Sequence, residues 1–588
     1  MKKIALIVAF CLLLTGCSQL AAGPTEPSTV PTDAPVDSDM FTDRDKSGDY
    51  SAKGAVSVEF DGTSITTNSP TASVRDNTVT LTKEGVYILS GTLDDGSVIV
   101  DAGKKDKIQI VLSGASITSA DDAAICVKEA DKVFLTLAEG TENHLANGGS
   151  FPEADNSIDA ALFSQQDLTI NGSGNLTVTS PAGHGISCKD DLAITGGSYS
   201  IHSAGHGIDA NDSVRIGGGT ITVDAGKDGI HAENTGDATL GFVYIENAAL
   251  ELEAEGDGIS AGAWLQTVSG SMTILAGGGS ENAAKDHSSG YGDFMGGGMG
   301  GLGGWPGQRP DKTPRASTTD SAQESSSMKG LKAAGQIFLN NGQITVDSAD
   351  DALHSNTDVA ISGGNLTLKT GDDGIHADEA LSITGGTITI TESYEGLEAK
   401  NITVSGGSIR LTATDDGLNA AGGADSSGMG GMRPGGDRFA GGMGGASDGS
   451  ILISGGELYV KASGDGMDAN GTLSITGGYT IVTGPTQGDT STLDFDVSGS
   501  ITGGTFIGTG AAGMAQTFSE SSQGVISLKM GSAAANTRII LKDKDGKELI
   551  SHSPELGYNV VILSSPELTK GERYTVQIGD ESAEFTAS

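Results

Sequence analysis

A short motif rich in aspartate recurs along the chain, and its acidic residues are candidates for cation binding. The motif reads Asp-Asp-Gly-Ile-His-Ala at 372–377 and Lys-Asp-Gly-Ile-His-Ala at 227–232. In most copies the residue two positions before the aliphatic residue is acidic. Carboxylate oxygens are hard ligands, so a cluster of these acids favours Ca²⁺ over softer metals.

The aliphatic residue of each copy marks the repeat, and most intervals between markers are 21 or 22 residues. The markers are Ile186, Ile208, Ile230, Ile259, Leu331, Leu353, Ile375, Leu397, Leu418 and Met467. Two residues before them lie His184, His206, Asp228, Asp257, Lys329, Asp351, Asp373, Glu395, Asp416 and Asp465. The candidate metal ligands are Asp228, Asp257, Asp350, Asp351, Asp372, Asp373, Glu395, Asp415, Asp416, Asp465 and Asp468. A single Asp-Gly step has a simpler interpretation, because aspartate often caps its own tight turn.

Histidines follow some of the markers, at His231, His354 and His376. A structural zinc site needs about four converging nitrogen or sulfur ligands. These histidines alternate with acids, so they are weaker candidates than the carboxylates.

Lys329 interrupts the acidic series and stands close to Lys332. One interpretation is that Lys329 is an internal counter-ion that fills the place of a metal. The other is that Lys329 or Lys332 is a Brønsted base beside a Ca²⁺ site. Such a base could remove the proton next to a uronate carboxylate that the metal has acidified.

The elements that position these residues are short strands. After the marker Ile375, apolar residues alternate at Ala377, Leu381 and Ile383, and a Gly-Gly pair precedes Ile388. Alternation of this kind is typical of strands, and the glycines mark the bends between them. Three short strands in about 22 residues describe one coil of a right-handed parallel β-helix. A β-propeller is the alternative repeat architecture, but its blades need about 40 residues.

In a β-helix, equivalent residues of successive coils lie above one another at about 4.8 Å. The acids would then form a column along one edge. Two like charges at about 4 Å repel by about 1 kcal/mol in water and more in a protein. A bound cation would convert that repulsion into binding energy. We therefore expect at least one Ca²⁺ site on this edge.

The sequence divides into an export signal, a tether, the β-helix and a cap. We assign 1–17 to a lipoprotein signal peptide, 18–53 to a disordered Pro/Thr-rich tether, 54–510 to the β-helix and 511–588 to a β-rich cap. The stretches 276–328 and 421–447 are rich in Gly and Met, a composition typical of disordered insertions. Their methionines could bind a soft metal, and Trp305 could stack on a sugar.

The N-terminus indicates export. Lys2 and Lys3 precede an apolar run that is too short to span a bilayer, and Leu14-Thr15-Gly16-Cys17 follows. This ending resembles a bacterial lipobox, in which Cys17 would become the lipid-modified first residue. An ordinary signal with an incidental cysteine is the alternative. We expect a lipid-anchored monomer on the extracellular face of the bacterial membrane.

Composition limits the classes of partner. The chain has 34 basic and 76 acidic residues among 588, a formal net charge of −42. That balance argues against nucleic acid and against binding to anionic lipid through a basic patch. Contact with the membrane is therefore expected through the N-terminal lipid only. With 91 glycines and 4% aromatic residues, the chain suits an extended all-β fold.

Several segments resemble a family of secreted bacterial lipoproteins described as carbohydrate-binding domain-containing proteins. They are Gly-Val-Tyr-Ile-Leu-Ser-Gly-Thr-Leu at 85–93, Ile-Val-Leu-Ser-Gly-Ala at 110–115, Leu-Thr-Leu-Ala-Glu-Gly-Thr-Glu-Asn at 135–143, and the Asp-Gly-Ile-His-Ala coils. The resemblance implies a Ca²⁺-containing right-handed β-helix that is similar in fold to pectate lyases. It further implies binding of an acidic, pectin-like polysaccharide such as polygalacturonate, or of cellulose.

Three hypotheses for the function follow. The first is non-catalytic, Ca²⁺-dependent binding of polysaccharide by a surface-tethered β-helix. The second is a Ca²⁺-dependent polyuronate lyase with Lys329 or Lys332 as base. The third is a surface adhesin or structural protein.

Overall fold

The chain folds into a long stack of short parallel strands. The computed structural model describes residues 40–151, 157–283, 327–421, 448–486, 488 and 490–588. A single α-helix, α1 (Asp43–Lys46), precedes the strands in this part of the chain. No helix among the described residues is long and apolar enough to cross a membrane.

The first strands build the N-terminal coils. They are β1 (Val56–Gly62), β2 (Ser64–Thr67), β3 (Ala72–Arg75), β4 (Thr78–Leu81), β5 (Gly85–Leu93), β6 (Ser97–Asp101), β7 (Lys107–Ser119), β8 (Ile125–Glu129), β9 (Lys132–Leu137), β10 (Glu142–Asn147), β11 (Ala160–Ser164), β12 (Leu168–Gly172) and β13 (Asn175–Ser180). The next are β14 (His184–Cys188), β15 (Asp191–Ile194), β16 (Ser198–Ser203), β17 (Ile208–Ala210), β18 (Ser213–Ile216), β19 (Gly219–Ala225), β20 (Ile230–Ala232), β21 (Phe242–Ile245), β22 (Ala248–Ala254), β23 (Ile259–Ala261), β24 (Leu265–Thr267) and β25 (Gly270–Ala276). A 3-10 turn at Ser280–Asn282 follows β25.

The later coils and the C-terminal region contain the remaining strands. They are β26 (Leu331–Ala333), β27 (Ile337–Leu339), β28 (Gln343–Ser348), β29 (Leu353–Ser355), β30 (Asp358–Ile361), β31 (Asn365–Thr370), β32 (Ile375–Ile383), β33 (Thr387–Glu392), β34 (Leu397–Val404), β35 (Ser408–Ala413), β36 (Leu418–Ala420), β37 (Ser450–Ile453), β38 (Glu457–Ala462), β39 (Met467–Ala469), β40 (Thr472–Ile475) and β41 (Tyr479–Thr483). The last are β42 (Asp494–Phe495), β43 (Ser498–Ile501), β44 (Thr505–Gly510), β45 (Glu520–Ser521), β46 (Val525–Ala533), β47 (Ile539–Lys542), β48 (Glu548–His552), β49 (Tyr558–Ser564), β50 (Arg573–Ile578) and β51 (Glu581–Thr586).

Each coil contributes one strand to each of three faces. Face A contains β14, β17, β20 and their equivalents, face B contains β15, β18 and β21, and face C contains β16, β19 and β22. Every coil passes through A, B and C in that order, so the edge between C and A lies opposite face B. The pairing between coils is parallel, which confirms the predicted parallel β-helix.

The predicted repeat markers lie in one register. Ile186 pairs with Ile208, Ile208 with Ile230, and Ile230 with Ile259. The series continues through both long insertions, because Ile259 pairs with Leu331 and Leu418 pairs with Met467. All of these side chains are at most 1% exposed and belong to the central apolar core.

Glycine is required where successive coils approach closely. A Cβ at Gly207 would lie 2.7 Å from the carbonyl oxygen of Gly229 and would clash with Val223. The second glycine of the Gly-Gly pairs has a positive φ, for example 91° at Gly386 and 85° at Gly407. Only glycine adopts this conformation without strain, so these pairs mark the turn between faces B and C.

The predicted β-rich cap closes the C-terminal end. Strand β49 pairs antiparallel with β44, the last parallel strand of face C, and with β46. A four-stranded sheet in the order β48-β47-β50-β51 packs beside it over an apolar cluster of its own. The cap thus covers a sheet edge that would otherwise be open to pairing with another chain.

The folded part begins before the predicted end of the tether at residue 53. Asp45 is 3% exposed, accepts a hydrogen bond from Thr169 at 2.6 Å and pairs with Lys132 at 2.8 Å. Residues 40–50 therefore pack on the β-helix, because their polar groups find partners there. The predicted signal peptide, Cys17 and the tether up to residue 39 lie outside the described residues, as do 284–326 and 422–447 of the two insertions.

Candidate functional site

Two columns of polar side chains run along the edge between faces C and A. The first column contains the residues two positions before each marker. The second contains the residues directly after the markers, which pair from coil to coil: Asp209, His231, Ser260, Lys332, His354, His376, Glu398, Asn419, Asp468 and Asp494. We call the two columns together the acidic edge. The predicted vertical alignment of the acids is present in the structure.

Side chains of the first column hold the backbone of the next coil. The N–H of Asp257 donates to Asp228 Oδ1 at 2.8 Å, and the N–H of Lys329 donates to Asp257 Oδ1 at 2.8 Å. The same bond joins the N–H of Asp373 to Asp351 at 3.1 Å and that of Asp465 to Asp416 at 2.5 Å. Each of these aspartates therefore caps the turn of the following coil, and one of its oxygens is committed to that bond.

In the N-terminal part of the acidic edge, basic side chains lie against the carboxylates. Asp228 Oδ2 lies 3.3 Å from His206 Nδ1, and Asp257 Oδ2 lies 3.2 Å from Lys332 Nζ. Burial by itself raises the pKa of Asp228, but the hydrogen bond and charge of His206 hold that pKa below its usual value. For Asp257, burial outweighs Lys332 and the pKa is raised.

Lys329 occupies the centre of a predicted metal cluster. Its Nζ donates to Asp350 Oδ2 at 2.9 Å and to Asp351 Oδ2 at 2.6 Å, and the lysine is 1% exposed. Although burial raises the pKa of Asp351, the Lys329 ammonium and His354 hold it well below its usual range. Asp372 has an oxygen within 4.8 Å of both other acids. This geometry matches the counter-ion interpretation of Lys329.

The histidines of the acidic edge stack on one another. The rings of His206 and His231 lie 4.4 Å apart at 16°, and those of His354 and His376 lie 4.8 Å apart at 11°. The lone pair of an imidazole nitrogen lies in the ring plane, so stacked rings direct their lone pairs side by side. This geometry is unfavourable for a shared zinc ion, although His206, Asp228 and His231 bring one ligand atom each within 4.8 Å of one another.

The acidic edge changes character beyond His376. That histidine donates to Glu398 at 2.6 Å and lies 3.6 Å from Asp373. From Glu395 to Asp494 the two columns contain Glu395, Asp416, Asp465 and Ser491, and Glu398, Asn419, Asp468 and Asp494, all of them described and none of them cationic. Within the described residues of the two columns, negative charge therefore accumulates at this end.

The pKa values of these acids reflect that accumulation. Burial, strengthened by neighbouring acids, raises the pKa of Asp465 to about 7 and that of Asp468 to about 6. Burial and Asp465 raise the pKa of Asp416 well above its usual value, and burial with Glu398 does the same for Glu395. Glu395 gains only neutral hydrogen bonds, from Asn419 Nδ2 at 2.9 and 3.0 Å.

Asp416, Asp465 and Asp468 have the geometry of a cation site. One carboxylate oxygen of each lies within 4.8 Å of the others. Ca²⁺ binds oxygens at about 2.3–2.6 Å, so two ligands on one ion lie up to about 5 Å apart. Three half-buried carboxylates fit this ion, and its remaining coordination positions would stay open to water or a ligand. Asp415, another predicted ligand, directly precedes Asp416 in the sequence.

Some acidic residues were missed by the sequence analysis. Asp494 continues the second column, but Leu493 follows Met467 by 26 residues and Ser491-Thr492 replaces the Asp-Gly step, which hides the copy. Asp167, Asp190 and Asp191 form another cluster between faces A and B. Asp190 and Asp212 are 22 residues apart, which is a usable signal, but their motif lacks the Asp-Gly step.

These observations define a class: a parallel β-helix with clusters of carboxylates along one edge. The family model of carbohydrate-binding domain-containing proteins matches residues 75–374 and 372–546. The chain belongs to that family.

One relative and one solved structure are similar to the chain. A carbohydrate-binding domain-containing protein of Acetivibrio thermocellus is 35% identical over 206 residues, which cover 34% of this chain. The chain spans 65% of that relative's length. A polysaccharide lyase-like protein from C. thermocellum, solved as a gadolinium derivative, is 34% identical, with 38% of this chain and 92% of that chain covered and a TM-score of 0.36.

Proposed function

We propose that the protein binds acidic, pectin-like polysaccharide without cleaving it, through Ca²⁺ held at the C-terminal part of the acidic edge. The observation that supports this most is the convergence of Asp416, Asp465 and Asp468 where no cationic side chain of the two columns compensates them. Elsewhere on the edge, lysine or histidine side chains lie against the carboxylates. Among the described residues of the two columns, this end is therefore where an external cation would compensate the acids.

Charge explains why the cation would bridge protein and ligand. A chain with a net charge of −42 repels a polyuronate, and two carboxylates at about 4 Å repel by a few kcal/mol near a protein surface. Ca²⁺ takes six to eight oxygen ligands, of which three carboxylates supply only part. Uronate carboxylates and hydroxyls of the glycan can fill the remaining positions.

Cellulose, the neutral alternative, would bind through a different feature. Neutral glucans stack on flat aromatic rings, and Trp264, a tryptophan of the described chain, is only 3% exposed. The observations therefore favour the acidic polysaccharide. Anchoring at the cell surface through Cys17 is part of the proposal and would place this binding site outside the cell.

The lyase hypothesis depends on an accessible base. Lys329 is buried and bonded to two aspartates, so its ammonium cannot reach a polysaccharide on the surface. Lys332 is 29% exposed at its side chain and pairs with Asp257. Of the two candidate bases, only Lys332 has access to a ligand.

Calorimetric titration of the soluble chain with oligogalacturonate, with and without Ca²⁺, tests the proposal. We expect affinity only with Ca²⁺, and its loss in Asp465→Asn/Asp468→Asn. The matched control is Asp237→Asn, because Asp237 lies on an exposed loop between β20 and β21. Equal affinity in the presence of chelator would contradict Ca²⁺ dependence.

The same samples separate the alternatives. Growth of ultraviolet absorbance from unsaturated product, lost in Lys332→Ala, would establish a lyase. Retention on cellulose without Ca²⁺ would replace the acidic ligand by a neutral one. Failure to bind any glycan, with intact Ca²⁺ binding, would favour the adhesin hypothesis.

A further inference from the structure

A carboxylate of the C-terminal cap lies on the outside of face C, between two basic side chains of the β-helix. Glu555 belongs to the turn between β48 and β49. Its Oε1 accepts a hydrogen bond from Arg410 Nη2 at 2.5 Å, and its Oε2 lies 3.6 Å from Lys461 Nζ. The guanidinium of Arg410 lies over the ring of Tyr459, 3.9 Å from the ring centre. Two cations beside an aromatic ring therefore hold one carboxylate.

Arg410 ends a row of outward hydroxyl groups on face C. The residues aligned with it in the three preceding coils are Thr345, Thr367 and Thr389. In the next strand, β38, the residue that pairs with Arg410 is Tyr459, and Lys461 follows two positions later on the same side of the strand. The strands that carry the two basic residues, β35 and β38, lead directly into the turns of Asp416 and Asp465.

The two basic residues are therefore close to the proposed cation site. Lys461 precedes Asp465 by four residues, and Arg410 precedes Asp416 by six. Four residues of fully extended chain span at most about 14 Å, so the Cα atoms of Lys461 and Asp465 lie within that distance. A polysaccharide bound through Ca²⁺ at the acidic edge can continue from there onto face C, where it would pass Lys461 and Arg410.

The two cations are better suited to hold an anion than to attach the cap. Burial by itself raises the pKa of Glu555, but the hydrogen bond and charge of Arg410 and the charge of Lys461 hold that pKa below its usual value. The three side chains are 33–52% exposed, and ion pairs this exposed contribute little to stability. The cap is attached instead by the pairing of β49 with β44 and by its own apolar cluster.

We propose that Arg410 and Lys461 form a second contact for the acidic polysaccharide, and that Glu555 occupies the position of a uronate carboxylate until the ligand displaces it. This inference rests on the proposed function, because the polysaccharide is the one bound through Ca²⁺ at the acidic edge. A uronate carboxylate presents the same pair of oxygens as Glu555, and a guanidinium can bind such a pair through two parallel hydrogen bonds. In a chain with a net charge of −42, a polyanion needs positive groups along its path, and this pair supplies them.

Competition with Glu555 makes the second contact selective for long acidic chains. Glu555 is part of the same chain as the two cations, so its effective concentration beside them is high. A single uronate must displace it from bulk solution. A uronate chain that Ca²⁺ already holds at the acidic edge is tethered as well, so its next carboxylates compete on similar terms. The second contact therefore selects polyuronate over single uronates.

Calorimetric titration with oligogalacturonate in saturating Ca²⁺ tests the second contact. Glu555→Ala should raise the affinity about five-fold, because the internal competitor is removed. Arg410→Met/Lys461→Met should lower the affinity at least about ten-fold, and adding Glu555→Ala to that variant should change nothing further. The matched control is Glu457→Ala, since Glu457 is an exposed acid on the same face of β38. It should change the affinity less than about two-fold.

The same variants distinguish this inference from the proposed function. Ca²⁺ binding without glycan should stay close to that of the unaltered chain in all of them, which verifies that they fold. In chelator, Glu555→Ala should still bind oligogalacturonate weakly through Arg410 and Lys461. That gain, found in a protein whose own glycan binding ignores Ca²⁺, would refute the proposed function and support the second contact.

Two results would overturn the second contact. One is Ca²⁺-dependent binding that Arg410→Met/Lys461→Met leaves unchanged, which would keep the cation site intact. The other is a Glu555→Ala variant that gains no affinity with or without Ca²⁺, or gains no more than Glu457→Ala does.

Discussion

Proton competition at Asp465 and Asp468 should make Ca²⁺ binding strongly dependent on pH. Their pKa values of about 7 and about 6 imply that both carboxyls must lose protons before they bind the ion. Carboxylates in ordinary surroundings lose their protons near pH 4, and a site built from them would not respond between pH 5.5 and 7.5.

The size of the effect follows from those values. At pH 7.5 about 76% of Asp465 and about 97% of Asp468 are ionised, and at pH 5.5 about 3% and about 24% are. The product of the two fractions falls about 100-fold, which corresponds to about 2.7 kcal/mol of binding free energy. The raised pKa of Asp416 adds to this competition, so we expect the Kd for Ca²⁺ to rise by at least about 100-fold between the two pH values.

Isothermal titration calorimetry of the chelator-treated protein measures this change in the Kd for Ca²⁺. At pH 6.5 the two groups together hold about one proton, and the raised pKa of Asp416 adds to it, so titrations in buffers of different ionisation enthalpy should show at least about one proton released per ion. Asp228→Asn, in the compensated part of the edge, should keep the same pH dependence. A Kd that changes less than about three-fold, or no proton release, would refute the assignment of the site to these carboxyls.

Three further outcomes follow from the structure. In the calcium-free protein the raised pKa values mean that the folded state holds protons that the unfolded state has lost, so its unfolding free energy should fall as pH rises from about 4 to about 7. Lys329→Met leaves Asp351 without its buried counter-ion and should cost about 3–5 kcal/mol at neutral pH by urea unfolding, whereas the exposed Lys105→Met should cost almost nothing. Gly207→Ala forces a Cβ against the carbonyl of Gly229 and should lower the melting temperature by several degrees, in contrast to Gly531→Ala, where the added Cβ meets nothing within 4 Å.

Much of the fold could be predicted because the repeat is regular. The markers from Ile186 to Met467 pair in the expected order, since a 22-residue period and alternating apolar residues permit one stacking register. The two insertions do not change the stacking register, because each begins and ends at a turn between strands. The segment 40–50 was not predicted, since its composition resembles a tether and its hydrogen-bond partners on the β-helix lie between 60 and 175 residues away.

The chemistry of the site was predicted in part. Sequence spacing places Asp257, Asp351 and Asp465 in one column and predicts the same metal-binding role for all three. The structure separates them, because Lys332 and Lys329 reach the first two, while Asp465 accepts a backbone hydrogen bond from Ser491 and lies among acids in the described part of the two columns. Which acid meets a cation depends on side chains from the neighbouring column and the next coil.

The sequence by itself therefore determined the coil, its period and the alignment of the acids, because these are local and repeat at every turn. Only the tertiary structure decided which carboxylates remain uncompensated, and on which face the N-terminal segment lies. Both depend on contacts between residues distant in the chain, whose charges and side-chain lengths vary from coil to coil. Charge compensation is a property of the assembled edge, and no single copy of the motif contains it.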